Sequence, residues 1–145
     1  MYQNIIVATD GSDLATVAVD HAASIARAFS AHLTIVTVAL QAPVFDAMAG
    51  GGAISQSIFD EIRRANIEQC TSILKKAVAA AGPSTRTQMV ESLNAYEGIL
   101  DAAREIGADL VVMGSHSRSL LSRLVLGSQA SKVVNLSEVP VLIVR

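Results

Sequence analysis

The sequence predicts a three-layer α/β sandwich, and three observations carry the prediction. The strongest strand signals are unbroken apolar runs, the pattern of strands covered on both faces as in a parallel sheet. Between these runs the apolar period lengthens to that of a helix, giving the alternation β-α-β-α-β-α-β-α-β, whose successive strands must be joined by crossovers. Of the 145 residues, 51% are apolar but only 3% aromatic, so the core is filled by Ala, Val, Ile and Leu, with alanine-rich helices lying close on the sheet. At this length the chain suits one domain, residues 1–145, burying roughly two thirds of the surface its unfolded form exposes.

The elements follow in order. Ile5 to Ala8 is the first apolar run. After "TDGSD", with Ser12 or Asp13 placed to cap a helix, Ala15, Ala18, Ala22, Ile25, Ala26 and Phe29 share one helical face. Leu33 to Leu40 is the second run. The connection "QAPVFDAMAGGGA" that follows is longer than the two to six residues usual for such a loop and reads either as a surface excursion or as a flap over a ligand. A helix from about Ser57 to Ala81 turns Ile58, Phe59, Ile62, Cys70, Ile73 and Ala77 inward and stops at Gly82-Pro83.

Thr85 to Ser92 is more polar and fits an edge strand. Ile99, Ala102, Ala103 and Ile106 form the inner face of the next helix, and Leu110 to Met113 is the fourth strand. A final helix from about Ser128 to Leu136 leads to the last strand, Val139 to Val144.

Composition excludes several classes. A formal charge of −2 and the lack of any basic run interleaved with aromatics argue against a nucleic-acid partner. The single Cys70 rules out an internal disulfide framework, suits a reducing compartment, and lies on an apolar helical stripe, where it reads as core. The start "MYQNIIVATD" has neither a positive leader region nor a long apolar segment, and no run approaches the roughly 20 residues that span a bilayer. A cytoplasmic protein without membrane insertion is expected.

In an open α/β sheet, ligands bind beyond the carboxyl ends of the strands where strand order reverses, because helix N-termini and loop amides converge there. Asp10 ends the first strand and suits a ribose or a metal. A haloacid-dehalogenase-type phosphatase needs a nucleophilic Asp two residues before its acid/base Asp, and Ala8 occupies that position. A response-regulator receiver fails too, since no phosphorylatable Asp ends the third strand and no Lys follows the fifth. Neither G-x-x-x-x-G-K-[ST] nor G-x-G-x-x-G follows any strand, and His21, His32 and His116 form no metal-spaced cluster or triad.

The stretch "MGSHSRSLLSRLVLGSQ" joins the fourth strand to the last helix. Gly114 ends the strand and Gly127-Ser128 opens the helix, whose amides and dipole favour an anion such as a phosphate. Between Ser115 and Ser137 the charged residues are Arg118, Arg123 and Lys132, so the local field is positive. Leu120, Leu121, Leu124, Val125 and Leu126 would pin the stretch to the body.

These residues resemble the universal stress protein family. "ATDGS" after the first strand, Gly114 followed at the family's separation by Gly127-Ser128, and the closing "PVLIVR" carry a resemblance that covers essentially the whole chain. It implies a Rossmann-like, five-stranded parallel sheet of order 3-2-1-4-5 and a homodimer. One branch of the family binds ATP through G-x-x-G-x9-G-[ST], which maps here to Gly114, Ser117, Gly127 and Ser128, with the second glycine replaced by Ser117. The resemblance further implies Asp10 on the ribose, the backbone of Val38 on adenine, and the amides from Gly127 through Gln129 on phosphates. Ala8, Met113, His116 and Arg118 complete the candidate nucleotide-binding set. Any Mg ion would be held mainly by the phosphates. Another branch lacks the glycines and is not expected to bind ATP.

Ser117 tests the assignment. If position 117 needs φ > 0, a non-glycine residue costs about 1–2 kcal/mol, or roughly tenfold in affinity. If the glycine serves close approach to phosphate, the serine hydroxyl could clash or itself donate.

The last strand, Val139 to Arg145, is strongly apolar, and at a sheet edge it invites antiparallel pairing with a second copy or a covering loop. The expectation is a dimeric ATP-binding regulatory protein of the stress response, in which nucleotide occupancy alters the glycine-rich flap and so what the dimer recognises, a protein partner of unknown identity. Turnover is expected to be slow or absent, for no general base is positioned and phosphate binding alone is not catalysis. The alternatives are a slow ATPase or phosphotransferase using Asp10 and a metal, and a nucleotide-free interaction module.

Overall fold

The structure, a computed structural model, describes residues 1–41, 56–116 and 126–145. The connection between Gln41 and Gln56 read as a flap, and Ser117, Arg118, Leu120, Leu121, Arg123, Leu124 and Val125, lie outside the described residues.

Five strands, β1 (Asn4–Ala8), β2 (His32–Leu40), β3 (Arg86–Ser92), β4 (Leu110–Gly114) and β5 (Val141–Val144), form one parallel sheet in the order β3-β2-β1-β4-β5. The expected order is thus found. Among the described residues four helices accompany them: α1 (Asp13–Phe29), α2 (Gln56–Ala81), α3 (Ala95–Ile106) and α4 (Ser128–Leu136). The central strand explains why the apolar runs are unbroken. Ile5 and Val7 face a core shared with α1 and α2, whereas Ile6 and Ala8 face one shared with α3 and α4, so successive side chains alternate between two dry layers.

The alanines let α1 lie close to the sheet, with Ala18 and Ala22 fully buried. Its start is fixed by Ser12, whose Oγ accepts from the Ala15 amide at 3.2 Å. The opposite end of β1 is tied down by Asp109, whose carboxylate accepts from the amides of Gln3 and Asn4 at 2.7 and 3.2 Å.

Three expectations are corrected. Ile58 and Ile62 are 47% and 42% exposed, and Phe59, Ile73 and Ala77 are only half-buried; Cys70 and Leu74 are the buried residues of α2. The physical reason is length. A helix of 26 residues spans about 39 Å, against about 30 Å for the nine residues of β2. Arg63 marks the sheet's carboxyl edge, where its guanidinium grips Glu91 near the end of β3 with two bonds of 2.7 Å, so residues 56–62 overhang. Phe29 is also 44% exposed and meets the Tyr2 ring edge-on. Finally, β5 starts at Val141 rather than Val139: Pro140 has no N–H for a ladder, and its carbonyl instead accepts from Val111 at 3.0 Å.

Candidate functional site

At the carboxyl end of β1 the chain turns sharply away. The buried Thr9 donates its amide to the Val36 carbonyl, its hydroxyl accepts from Gly11, and Asp10 Oδ1 accepts from the Ser12 amide at 3.0 Å. Gly11 adopts φ +76°, which glycine tolerates freely. Beyond this turn β2 continues without its neighbour. Ala8 is the last residue of β1 in register, opposite Val36, and with strand period 2 the N–H and C=O of Val38 face the side that β1 has vacated. Val38 therefore presents backbone donor and acceptor where no strand follows.

On the other side of β1, Ser115 organises the junction between β4 and α4. Its amide donates to the Val144 carbonyl at 2.8 Å, its carbonyl accepts from the Gly127 amide at 2.7 Å, and its Oγ lies 3.0 Å from His116 Nδ1. Gly127 has φ −59°, so no torsional demand explains the glycine. Close approach does: a Cβ there would stand 3.1 Å from the Ser115 carbonyl oxygen and 3.2 Å from His116 Cα.

The expectation that the Gly127 amide holds phosphate is corrected, because that N–H is already donated to Ser115. The first intrahelical bond runs from Ser131 to the Gly127 carbonyl. This leaves the amides of Ser128, Gln129 and Ala130, which have no acceptor among the described residues, at the positive end of the helix dipole.

These two junctions face a common cavity of about 540 Å³. Ala8 and Asp10 enter it from β1 and its turn, Val38 from β2, Met113, Gly114 and His116 from β4 and its exit, and Gly127, Ser128 and Gln129 from α4. Every described member of the candidate set is thus brought together. Among the described lining residues Asp10 is the only carboxylate and no Lys or Arg takes part. Lys132, one of the three cations behind the expected positive field, instead holds its Nζ 4.6 Å above the Tyr96 ring.

One wall of the cavity is not legible in the strand ends. Asn66, Gln69, Cys70 and Ile73 of α2 line the cavity, and their spacing of i, i+3, i+4, i+7 is one helical face that contains two carboxamides. Cys70 is buried as expected, but it also belongs to this wall, 3.9 Å from the Thr37 hydroxyl. From the opposite layer come Asn94, Ala95 and Ile99 of α3 and its approach. Asn94 occupies the N-cap of α3 without a side-chain cap bond, and Gln129 Oε1 accepts the Tyr96 amide instead, at 3.0 Å. Glu97 stands beside this contact; the Asn94 side chain and the Tyr96 hydroxyl hold its carboxyl below the usual glutamate range.

The whole chain, residues 1–145, matches the model of the universal stress protein family. The chain belongs to that family. Universal stress protein YxiE of Bacillus subtilis is 36% identical over 149 residues, with all of both chains covered. Universal stress protein UspA from Lactobacillus plantarum, at 24% identity, shares the fold with a TM-score of 0.81 over 99% of this chain and 98% of its own. A universal stress protein crystallised in complex with cAMP is 30% identical, with a TM-score of 0.67 over 99% and 97% of the two chains. For a universal stress protein the site described lies where the fold allows one, at the reversal of strand order between β1 and β4. Among the described residues no helix is long and apolar enough to cross a membrane, and no three His, Cys, Asp or Glu side chains gather to hold a metal.

Proposed function

We propose that this universal stress protein is a single-domain, dimeric regulatory protein that binds ATP or a related adenine nucleotide and turns it over slowly or not at all. The observation that carries the reading is the set of three amides, Ser128 to Ala130, that have no acceptor among the described residues and open onto a cavity that also holds the vacated backbone edge of Val38. The first suits phosphate oxygens. The second suits the donor and acceptor edge of a purine. Asp10 stands between them with one oxygen engaged by the Ser12 amide, a fixed acceptor for a ribose hydroxyl.

The complex of a 30% identical relative with cAMP supports an adenine nucleotide as ligand. The phosphates, when bound, supply the negative charge that the helix end complements and any coordination for Mg, because the cavity's described lining offers only Asp10 as a carboxylate. In that described lining Asp10 has Oδ1 engaged by the Ser12 amide and His116 has Nδ1 3.0 Å from the Ser115 hydroxyl, so each already has a protein contact, which supports a binding rather than a catalytic role. A cytoplasmic location accompanies this reading, supported by the single cysteine of the chain. The position of β5 at the edge of the sheet supports pairing with a second copy.

The decisive experiment is mass spectrometry of small molecules released from freshly purified protein, followed by calorimetry with ATP and AMP. A bound or titratable adenine nucleotide is expected. Absence of binding to both at millimolar concentration would falsify the reading.

A further inference from the structure

Gln129 is half-buried at the second position of α4, and its side chain reaches across to another helix. The Tyr96 backbone N–H can only donate, so it holds the carboxamide with Oε1 toward α3, and the NH₂ is left as a donor with no partner among the described residues. The same residue lines the cavity, and its own backbone amide is one of the three at the helix start with no acceptor among the described residues. Asn94, whose position would ordinarily supply the cap to α3, makes no such bond. The Gln129 side chain is therefore fixed by a contact outside the cavity while it borders the cavity.

Resting on the nucleotide reading above, we propose that Gln129 is a specificity-determining residue for the phosphate end: its oriented NH₂ supplies a donor to a phosphate oxygen beyond the three backbone amides. The site then distinguishes a phosphorylated adenine ligand from the bare nucleoside by a side chain locked in register with α3. Because α3 also presses on Val38 through Gly98, the donor is held at a set separation from the base end. A carboxamide serves where a lysine would not, since one end of it must accept while the other donates.

The test compares two near-isosteric variants in the full chain, with AMP and adenosine as probes in calorimetry and with thermal melts alongside. Gln129→Glu keeps an acceptor for the Tyr96 amide, so its melting temperature should equal or exceed that of the parent, but it exchanges the donor for a carboxylate. Gln129→Met is neutral and removes both the cap and the donor. AMP affinity is expected to fall about tenfold or more in both, as for loss of a hydrogen bond to a charged group, while adenosine affinity stays within about twofold. If Gln129→Met lowers AMP and adenosine affinity by the same factor, or changes neither, the side chain is only a helix cap and the proposal is overturned. If the parent binds neither probe, the nucleotide reading itself fails, a different result from parent-like discrimination in the variants.

Discussion

Gly98 of α3 seats directly on Val38 of β2: a Cβ at position 98 would lie 3.0 Å from both Cγ atoms of Val38 and 3.3 Å from Ser92 Cβ. This contact joins a helix in one layer to the strand residue whose backbone opens onto the cavity, and it makes the proposed base end of the site sensitive to a single methyl group.

Gly98→Ala separates stability from binding. Alanine gains about 1 kcal/mol of helix propensity, while crowding Val38 costs about 1–3 kcal/mol unless the valine yields. Val38 is half-buried with free volume beside it, so it yields into the cavity. The melting temperature should change by no more than a few degrees while nucleotide affinity drops severalfold, as read by paired melts and calorimetry. An unchanged affinity would show that Val38 does not border the ligand.

Gly127→Ala behaves differently. Its clashes are with the Ser115 carbonyl and His116 Cα, backbone atoms that cannot swing aside. A loss of about 1–3 kcal/mol of stability is expected together with loss of nucleotide binding, since the start of α4 must move. Chemical denaturation measures the first and calorimetry the second.

Ser12→Ala removes the cap that accepts the Ala15 amide. The expected cost is about 1 kcal/mol, or roughly 4 °C in melting temperature for a chain of this size. A melt indistinguishable from the parent would mean that solvent satisfies the amide equally well.

Two surface carboxylates shape the pH profile. Hydrogen bonds from Arg63 hold Glu91 below its ordinary range, and those from Asn94 and Tyr96 do the same for Glu97. A carboxyl depressed in the folded state contributes stability above its unfolded value and loses it as pH falls through the folded one. The Tyr96 phenol is raised by its bond to Glu97, so its contribution is present below the ordinary phenol range and lost as pH climbs through the raised value. The double variant Glu91→Gln, Glu97→Gln should therefore show a flatter acid limb in a plot of melting temperature against pH. Superimposable limbs would contradict the assignment.

The edge of β5 gives a test of assembly. The carbonyls of Pro140 and Val144 accept from Val111 of β4 and from Ser115 just beyond it, so with period 2 the N–H groups of Val141 and Ile143 face outward. Ile143→Pro deletes one outward donor without breaking the bonds to β4. In sedimentation the parent is expected as a dimer at micromolar concentration and the variant as a monomer; a monomeric parent removes the dimer from the reading.

Much of this architecture is legible in the sequence because the β1 run Ile5 to Ala8 and the α1 alanines each obey one period, and the crossover rule then leaves few topologies. The cavity floor is legible for the same reason, since strand ends can be named once strands are. Legibility fails where two elements far apart in the chain meet. Ile58 and Ile62 carry the right helical spacing, yet no pattern within α2 reveals that the sheet ends before they begin. The bond from the Gly127 amide to Ser115 and the cap that Gln129 provides for α3 are likewise contacts between segments, and local chemistry gave no sign of either. In the sequence Gly127 stands out by its place in a motif, whereas the structural reason for it is crowding.

Ser115 sets one further condition on the molecule. Its amide hydrogen is held by the last residue of β5 and its carbonyl by Gly127, the N-cap of α4, so one residue works as a clasp between the outer strand and the helix that follows the long connection. Deuterium uptake at the Ser115 and Gly127 amides should then rise in step when Val144 and Arg145 are deleted. A tug on the outer strand would be felt at the mouth of the cavity, through two bonds of 2.8 and 2.7 Å that share a single residue.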